Sequence, residues 1–501
     1  MEIANFLYNR NNFSVSPNFT ATARQHVRAV RYLKHVKLQA EQSVFDRHER
    51  LIKENKFPKS WIEKITHIDP NHSVFSHSSV ASSLETDGIL CLNIDKLEGI
   101  QYGIDVFKDL TMREIVFLAY RACDLAVRRG CANMCAHCFQ KATPAAKTEL
   151  SVMPFEDFKK IAKGFDQINK RINKILDNTN TNPPHFIGDY DNSRIVDNNA
   201  EELALFYDSD GINVIAKDIN GKEYDYVDLA EMFYNATGKL MLFDTAGWNP
   251  ENKILQQRAE KYAKYFSQPG IRGKLSYNLS VNTFNPLYLK SYKLGYRPGL
   301  ENDLTNPEIL RGKRLYDMYI ERMANMISTL GATDNAYILA TYATRYEKNM
   351  KGMYLSDLKQ ILKDVEKRCD EILKTKYSTE EYQQKQEIVS RLIRQTIYRI
   401  EDNNTYPRCT YAGRYQELFN SRNPEHPIKD NGRYTKKFPD INTLSYKEYQ
   451  EFLRNYMAVI DTNGELYYQR YDTSVRPMGK ELKLSTNGKK TPKINNLELR
   501  D

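Results

Sequence analysis

The chain has 501 residues, 41% of them hydrophobic, and 73 Lys and Arg against 64 Asp and Glu give a formal net charge of +9. That is enough for two or three domains, or for one barrel with large additions around a real core. No apolar run approaches the about 20 residues that span a bilayer, the start Met1-Glu2-Ile3-Ala4-Asn5-Phe6 lacks a secretory layout, and seven cysteines, an odd number, do not describe a disulfide framework, so a cytoplasmic protein away from any membrane is expected.

Residues 1–110 read as a mainly helical amino-terminal extension. Ala21 to Lys53 carries a basic stripe of Arg24, Arg28 and Arg31, either a solvated helix face or a docking surface for nucleic acid. His67, His72 and His77 lie in a polar, turn-rich segment and read as surface residues. From Thr111 the pattern sharpens: Thr111-Met112-Arg113-Glu114 is a capping box, and Ile115, Val116, Leu118 and Ala119 give the helix it opens an apolar side. A strand expected over Leu125 to Arg129 then delivers the chain to Cys131-Ala132-Asn133-Met134-Cys135-Ala136-His137-Cys138.

Three thiols spaced by three residues and then by two can curl round one soft metal centre, zinc or an iron-sulfur cluster. A closed structural zinc site needs four donors, whereas a cubane cluster uses one thiolate per iron. With three cysteines a cubane keeps one iron open for a ligand. His137 as a fourth zinc donor is poorly placed, because it is adjacent to Cys138. Cys91, Cys123, Cys369 and Cys409 are scattered, and Cys369 continues the apolar face of Leu358, Ile361, Leu362, Val365 and Ile372 as a core residue.

After the cysteines, helix and strand signals alternate. Pro154 opens a helix with Phe155, Phe158, Ile161, Phe165 and Ile168 on one face, Pro184 to Asp189 reads as a strand, and Asp228 to Ala236 as a helix. Lys239 to Phe243 reads as a strand, Asn249-Pro250 as a helix start, and Leu275 to Phe284 as a longer strand. Asn306-Pro307 starts the next helix and Gly331 ends it; Ala336 to Tyr342 is a strand and Tyr354 to Lys374 a helix. Such alternation implies parallel strands joined by right-handed helical crossovers. Two hairpins interrupt it, Ile212 to Val227 around Asn220-Gly221 and Met457 to Tyr471 around Asn463-Gly464. The first follows the second strand, at the carboxyl end of a parallel strand, where it reads either as a cover over a site or as a decorative surface hairpin. Along Leu275 to Phe284, period-two alternation puts Asn278, Ser280 and Asn282 on one side, where a closed barrel would pack apolar groups, so these residues require a ligand or a hydrogen-bond network.

Cys131-x3-Cys135-x2-Cys138, with His137 before the third cysteine, resembles the signature of the radical S-adenosylmethionine (SAM) superfamily. The resemblance covers roughly residues 120 to 375 and implies an α/β fold: a partial (β/α)6 TIM-like barrel over 111–375, flanked by the 1–110 extension and a helical and β-hairpin region over 376–501. It further implies a 4Fe-4S cluster on the three cysteines and SAM as cofactor, with His137 beside them. Gly188-Asp189 matches the position of the family's glycine-rich turn, commonly Gly-Gly-Glu, that meets the SAM amino group. Ser280 and Asn282 match the motif that holds the ribose and carboxylate. An electron donor such as flavodoxin or ferredoxin is implied as a partner. The second hairpin resembles the one that opens the auxiliary-cluster domain of peptide-modifying relatives, but Gln469 stands where those have a cysteine, and no cysteine follows Cys409.

The long flanking regions favour a peptide or protein substrate, with nucleic acid as the competitor. The contrasting reading is a non-catalytic, zinc- or cluster-bearing nucleic-acid-binding protein that uses the basic stripe and the Lys-rich tail after Lys480.

Overall fold

The computed structural model describes residues 105–138, 142, 152–179, 202–333, 336–401, 413–427, 440–453 and 456–484, with short breaks inside these spans. The expectations for residues 1–104, for the strand at 184–189 with Gly188 and Asp189, for Cys91 and Cys409, and for the end of the tail lie outside the described residues.

Helix α1 (Met112–Arg121) begins at the capping box: the Glu114 carboxylate accepts from the Thr111 amide at 2.8 Å and the Thr111 hydroxyl accepts from the Glu114 amide at 3.4 Å. Strand β1 (Ala122–Leu125) follows at once, earlier than the apolar run Leu125 to Arg129 suggested. The difference is local. Ala126 and Val127 still donate to Ile460 and Leu205 of neighbouring segments, at 2.7 and 3.2 Å, but the chain is already turning toward the cysteines.

The remaining elements are α2 (Phe155–Thr179), β2 (Glu202–Ala204), the hairpin β3 (Ile215–Lys217) and β4 (Glu223–Asp225), α3 (Tyr226–Thr237), β5 (Leu240–Thr245), α4 (Lys253–Phe266), β6 (Leu275–Asn282), α5 (Pro286–Lys293), α6 (Pro307–Met326), β7 (Tyr337–Thr341), α7 (Leu355–Lys376), α8 (Thr379–Glu401), α9 (Gly413–Arg422), β8 (Tyr456–Ile460), β9 (Glu465–Arg470) and β10 (Val475–Glu481). Helix α4 starts later than Asn249-Pro250, because Asn252 supplies the cap and accepts from the Leu255 amide at 3.1 Å. Cys369 is fully buried on α7, as its apolar face predicts.

Eight strands form one sheet in the order β10-β9-β8-β1-β2-β5-β6-β7. Every pair from β8 to β7 is parallel, and β8-β9-β10 is an antiparallel ribbon, so this is a mixed α/β fold with a mostly parallel sheet. The place between β1 and β5 belongs to Glu202–Ala204. The parallel strand beyond β1 is β8, so the sheet crosses the boundary that the sequence reading puts at residue 376. Both hairpins form as expected: Gly221 and Gly464 take the positive φ their turns require, 81° and 85°. Among the described residues no helix is long and apolar enough to cross a membrane.

The two faces of the sheet differ. Met241 and Phe243 of β5, Leu275, Tyr277, Leu279 and Val281 of β6, and Ile338 and Ala340 of β7 are buried in the core that includes the helices. Register neighbours in a parallel sheet share a face. The opposite face therefore carries one row of Asp124, Ala204, Leu242 and Ser276, then Asp244, Asn278 and Tyr337, then Ser280 with Leu339, and finally Asn282 with Thr341. Most of the middle of this polar face is half-exposed.

Candidate metal centre at the carboxyl ends of the strands

The cysteine loop leaves β1 at the end where all six parallel strands finish. Cys131 and Cys135 are buried, Cys138 is half-buried, and all three are free thiols. The loop reverses through Met134, a non-glycine residue at φ 51°, a conformation that costs free energy and persists only where the surroundings impose it.

Those surroundings are specific. Inside the loop, the Asn133 amide nitrogen donates to the Asp210 carboxylate at 2.5 Å, while its oxygen accepts from Arg322 of α6. Asp210 also accepts from the Ile212 and Ala246 amides at 3.1 and 2.9 Å, and Arg322 donates to the Gly247 carbonyl at 2.7 Å. The line Arg322–Asn133–Asp210 thus ties the loop to the segments after β2 and β5. From the other side, Arg414 of α9 donates to the Cys135 carbonyl at 3.0 Å and the Ala142 carbonyl at 2.6 Å, and its own amide donates to the Cys138 carbonyl at 3.0 Å. The Ala136 amide donates to Phe284 after β6 at 2.9 Å.

Burial pushes the Cys131 thiol far up and Cys135 up to about 12, the latter helped by Cys138 and opposed by Arg322 and Arg414. Cys135 and Cys138 raise the Cys131 thiol further, and Cys138 raises Cys135, each by less than burial does. Left alone, Cys131 and Cys135 stay protonated; a metal cation reverses that balance by stabilising thiolate. His137 is pushed down to about 4 by burial, with Arg414 second, and its ring lies 5.4 Å from that of Phe284. Its Nδ1 is buried and has no hydrogen-bond partner.

Of the residues expected at the site, Ser280 and Asn282 are buried on the polar face of β6. The Asn282 amide nitrogen comes to 4.0 Å from the Cys135 sulfur, while its oxygen accepts from the Phe284 amide at 3.0 Å. Arg297, which follows the same strand, donates locally to Tyr292 and Tyr296 and stacks over the Tyr292 ring at 3.5 Å. Sequence reasoning missed Asn133, Asp210, Arg322 and Arg414. The acidic turn Asp208-Ser209-Asp210-Gly211 was a legible signal, hidden because its strand has only three residues.

Among the described residues no three His, Cys, Asp or Glu side chains converge as ligands of one ion. A cubane asks for a different arrangement, one thiolate at each of three separate irons. Three thiols on one loop beside two guanidiniums are the donor chemistry such a group uses. No family model, no curated protein and no solved structure matches this chain.

Proposed function

We propose that this chain is a radical SAM enzyme in which Cys131, Cys135 and Cys138 hold a 4Fe-4S cluster. The observation that carries the reading is the position of Asn282: the amide that the ribose motif would require comes from a different strand and stands 4.0 Å from the sulfur of Cys135. Chance clustering of core cysteines gives no reason for that meeting.

The chemistry such a cluster supplies is one-electron reduction of SAM to methionine and a 5'-deoxyadenosyl radical. The protein's share is to bind and orient. Ser280 and Asn282 offer hydrogen bonds to the cofactor's ribose and carboxylate. The guanidiniums of Arg322 and Arg414 flank the cysteine loop, and their charge favours the thiolate form of the buried Cys135. His137 stays neutral beside them and adds no competing cation.

Five of the parallel strands, β1, β2, β5, β6 and β7, stand side by side in chain order, as the first part of a partial (β/α)6 barrel requires. The sixth, β8, is on the far side of β1, a departure from sequential winding. Gly211, after β2, is the counterpart we assign to the glycine of the SAM-amino turn. An electron donor such as flavodoxin or ferredoxin and a peptide or protein substrate complete the reading.

Anaerobic reconstitution tests it. The protein should take up about four irons per chain with matching sulfide, and with a strong reductant it should release 5'-deoxyadenosine. Cys135→Ala should lose most of that iron and Cys369→Ala should keep it. Stoichiometric zinc in the native protein, or equal iron loss from both variants, overturns the proposal.

A further inference from the structure

Helix α9 meets the site from outside the parallel strands. Its first residue after Gly413 holds the cysteine loop: the Arg414 guanidinium donates to the Cys135 and Ala142 carbonyls, and its amide donates to Cys138. The next, Tyr415, donates its hydroxyl to the carboxylate of Glu347, a residue 2% exposed in the segment after β7. At the far end of the helix the Asn349 side-chain amide donates to the Arg422 carbonyl at 3.2 Å and to the Asn423 side chain at 3.1 Å, and Arg422 donates back to the Asn349 carbonyl at 3.3 Å. Asn349 holds φ at 60°, a left-handed conformation that a non-glycine residue keeps only where its surroundings impose it. In the sheet, β2, β5 and β6 separate β1 from β7. One helix of ten residues, about 15 Å long, nevertheless meets the segments that follow both, so α9 lies across the carboxyl ends of the strands.

Its apolar anchorage is separate from the main core. Tyr415 is buried with Phe284, Ala343, Met350 and Met353, and Leu418 and Phe419 pack on the same small cluster. Among the described residues, no side chain of α9 belongs to the main core that holds α7 and α8. The Phe284 ring joins the two sides, 5.4 Å from that of Tyr415 and 5.4 Å from that of His137 in the cysteine loop. An element held by one small cluster and a few polar ties opens at a lower free energy than the whole fold, and active-site lids are drawn from such elements.

We infer that α9 is a lid: it lifts from this cluster as a unit to admit a ligand to the cysteine loop and Asn282, and it docks through Tyr415 and Asn349 to close water out. The inference rests on the radical SAM reading, which names SAM as that ligand and supplies the reason to exclude water, a radical intermediate. A lid that closes on SAM gives the docked form the higher affinity, so bound SAM slows the opening.

The test is hydrogen–deuterium exchange on the full-length, anaerobically reconstituted protein with and without SAM, with α7 and α8 as internal references. Without SAM, α9 should exchange faster than either reference, and SAM should slow α9 several-fold. Tyr415→Phe removes the bond to Glu347 and keeps the ring; Asn349→Gly removes the bonds to Arg422 and Asn423 and keeps the left-handed backbone. Each should speed α9 exchange several-fold and raise both the association and the dissociation rate of SAM, with exchange of α7 and α8 and the melting temperature unchanged. A purely structural role for α9 would lower SAM affinity without faster association. Exchange of α9 only at the rate of α7 and α8, or an unchanged SAM association rate in both variants, overturns the inference. The two readings fail separately: α9 opening ahead of α7 and α8 in a protein that binds neither iron nor SAM sinks the radical reading alone, and SAM binding that leaves α9 exchange unmoved sinks the inference alone.

Discussion

Arg414 donates to the main-chain carbonyl of Cys135 at 3.0 Å although 279 residues separate them in sequence. The cysteine loop is therefore not self-sufficient. It is closed by a helix from the carboxyl-terminal third of the chain, which has the Cys135 and Ala142 carbonyls as acceptors for one guanidinium.

Arg414→Ala leaves those two carbonyls without their donor, at a cost of about 1–3 kcal/mol to the loop. Reconstituted Arg414→Ala should lose iron to a chelator about tenfold faster than the parent, with unchanged far-UV circular dichroism. Arg414→Lys should recover only part, since an ammonium cannot reproduce the fork. Equal chelation rates for all three proteins would show that the contact does not hold the loop.

Asn282→Ala should weaken SAM binding about fivefold, as expected for about 1 kcal/mol of net hydrogen bonding. Ser280→Ala should have a similar or smaller effect. Unchanged affinity in both variants would place the cofactor elsewhere.

The sequence made the local features legible because they depend on neighbours: the Thr111 capping box, the two Asn-Gly hairpins, the alternation of β6 and the buried face around Cys369 all follow from residues a few positions apart. What it hid is long-range. Strand β2 is three residues long and too short for a periodic signal, and the pairing of β8 with β1 joins segments more than 300 residues apart in a sheet whose order no local pattern specifies. Asn133 looks like a spacer between cysteines until Asp210 and Arg322 arrive from two other elements.

The region after residue 402 also looks removable in sequence, and its place in the sheet says otherwise. Deleting 403–501 takes away β8, which pairs with β1, and strips Ala458, Ile460, Leu466 and Tyr468 from the main core. Loss of several buried side chains at about 2–5 kcal/mol each exceeds typical domain stability. The truncated chain should show no cooperative thermal transition. A truncation that melts cooperatively near the parent's temperature would mean that β8 is dispensable.

Stability should fall as pH rises from about 4 to about 8. Burial, first among the causes, raises Asp124 to about 8 and Asp244 to about 7 in the folded chain, against about 3.9 for an unfolded aspartate. The folded state then binds more protons than the unfolded state across that window, so the contribution is fully present below about pH 4 and is lost as pH passes the folded values. Each proton retained is worth about 1.4 kcal/mol per pH unit. Asp124→Asn and Asp244→Asn should each flatten the fall of melting temperature between pH 5 and 8. An identical pH slope in the parent and both variants would mean that these carboxyls ionise in the folded chain as freely as in the unfolded one.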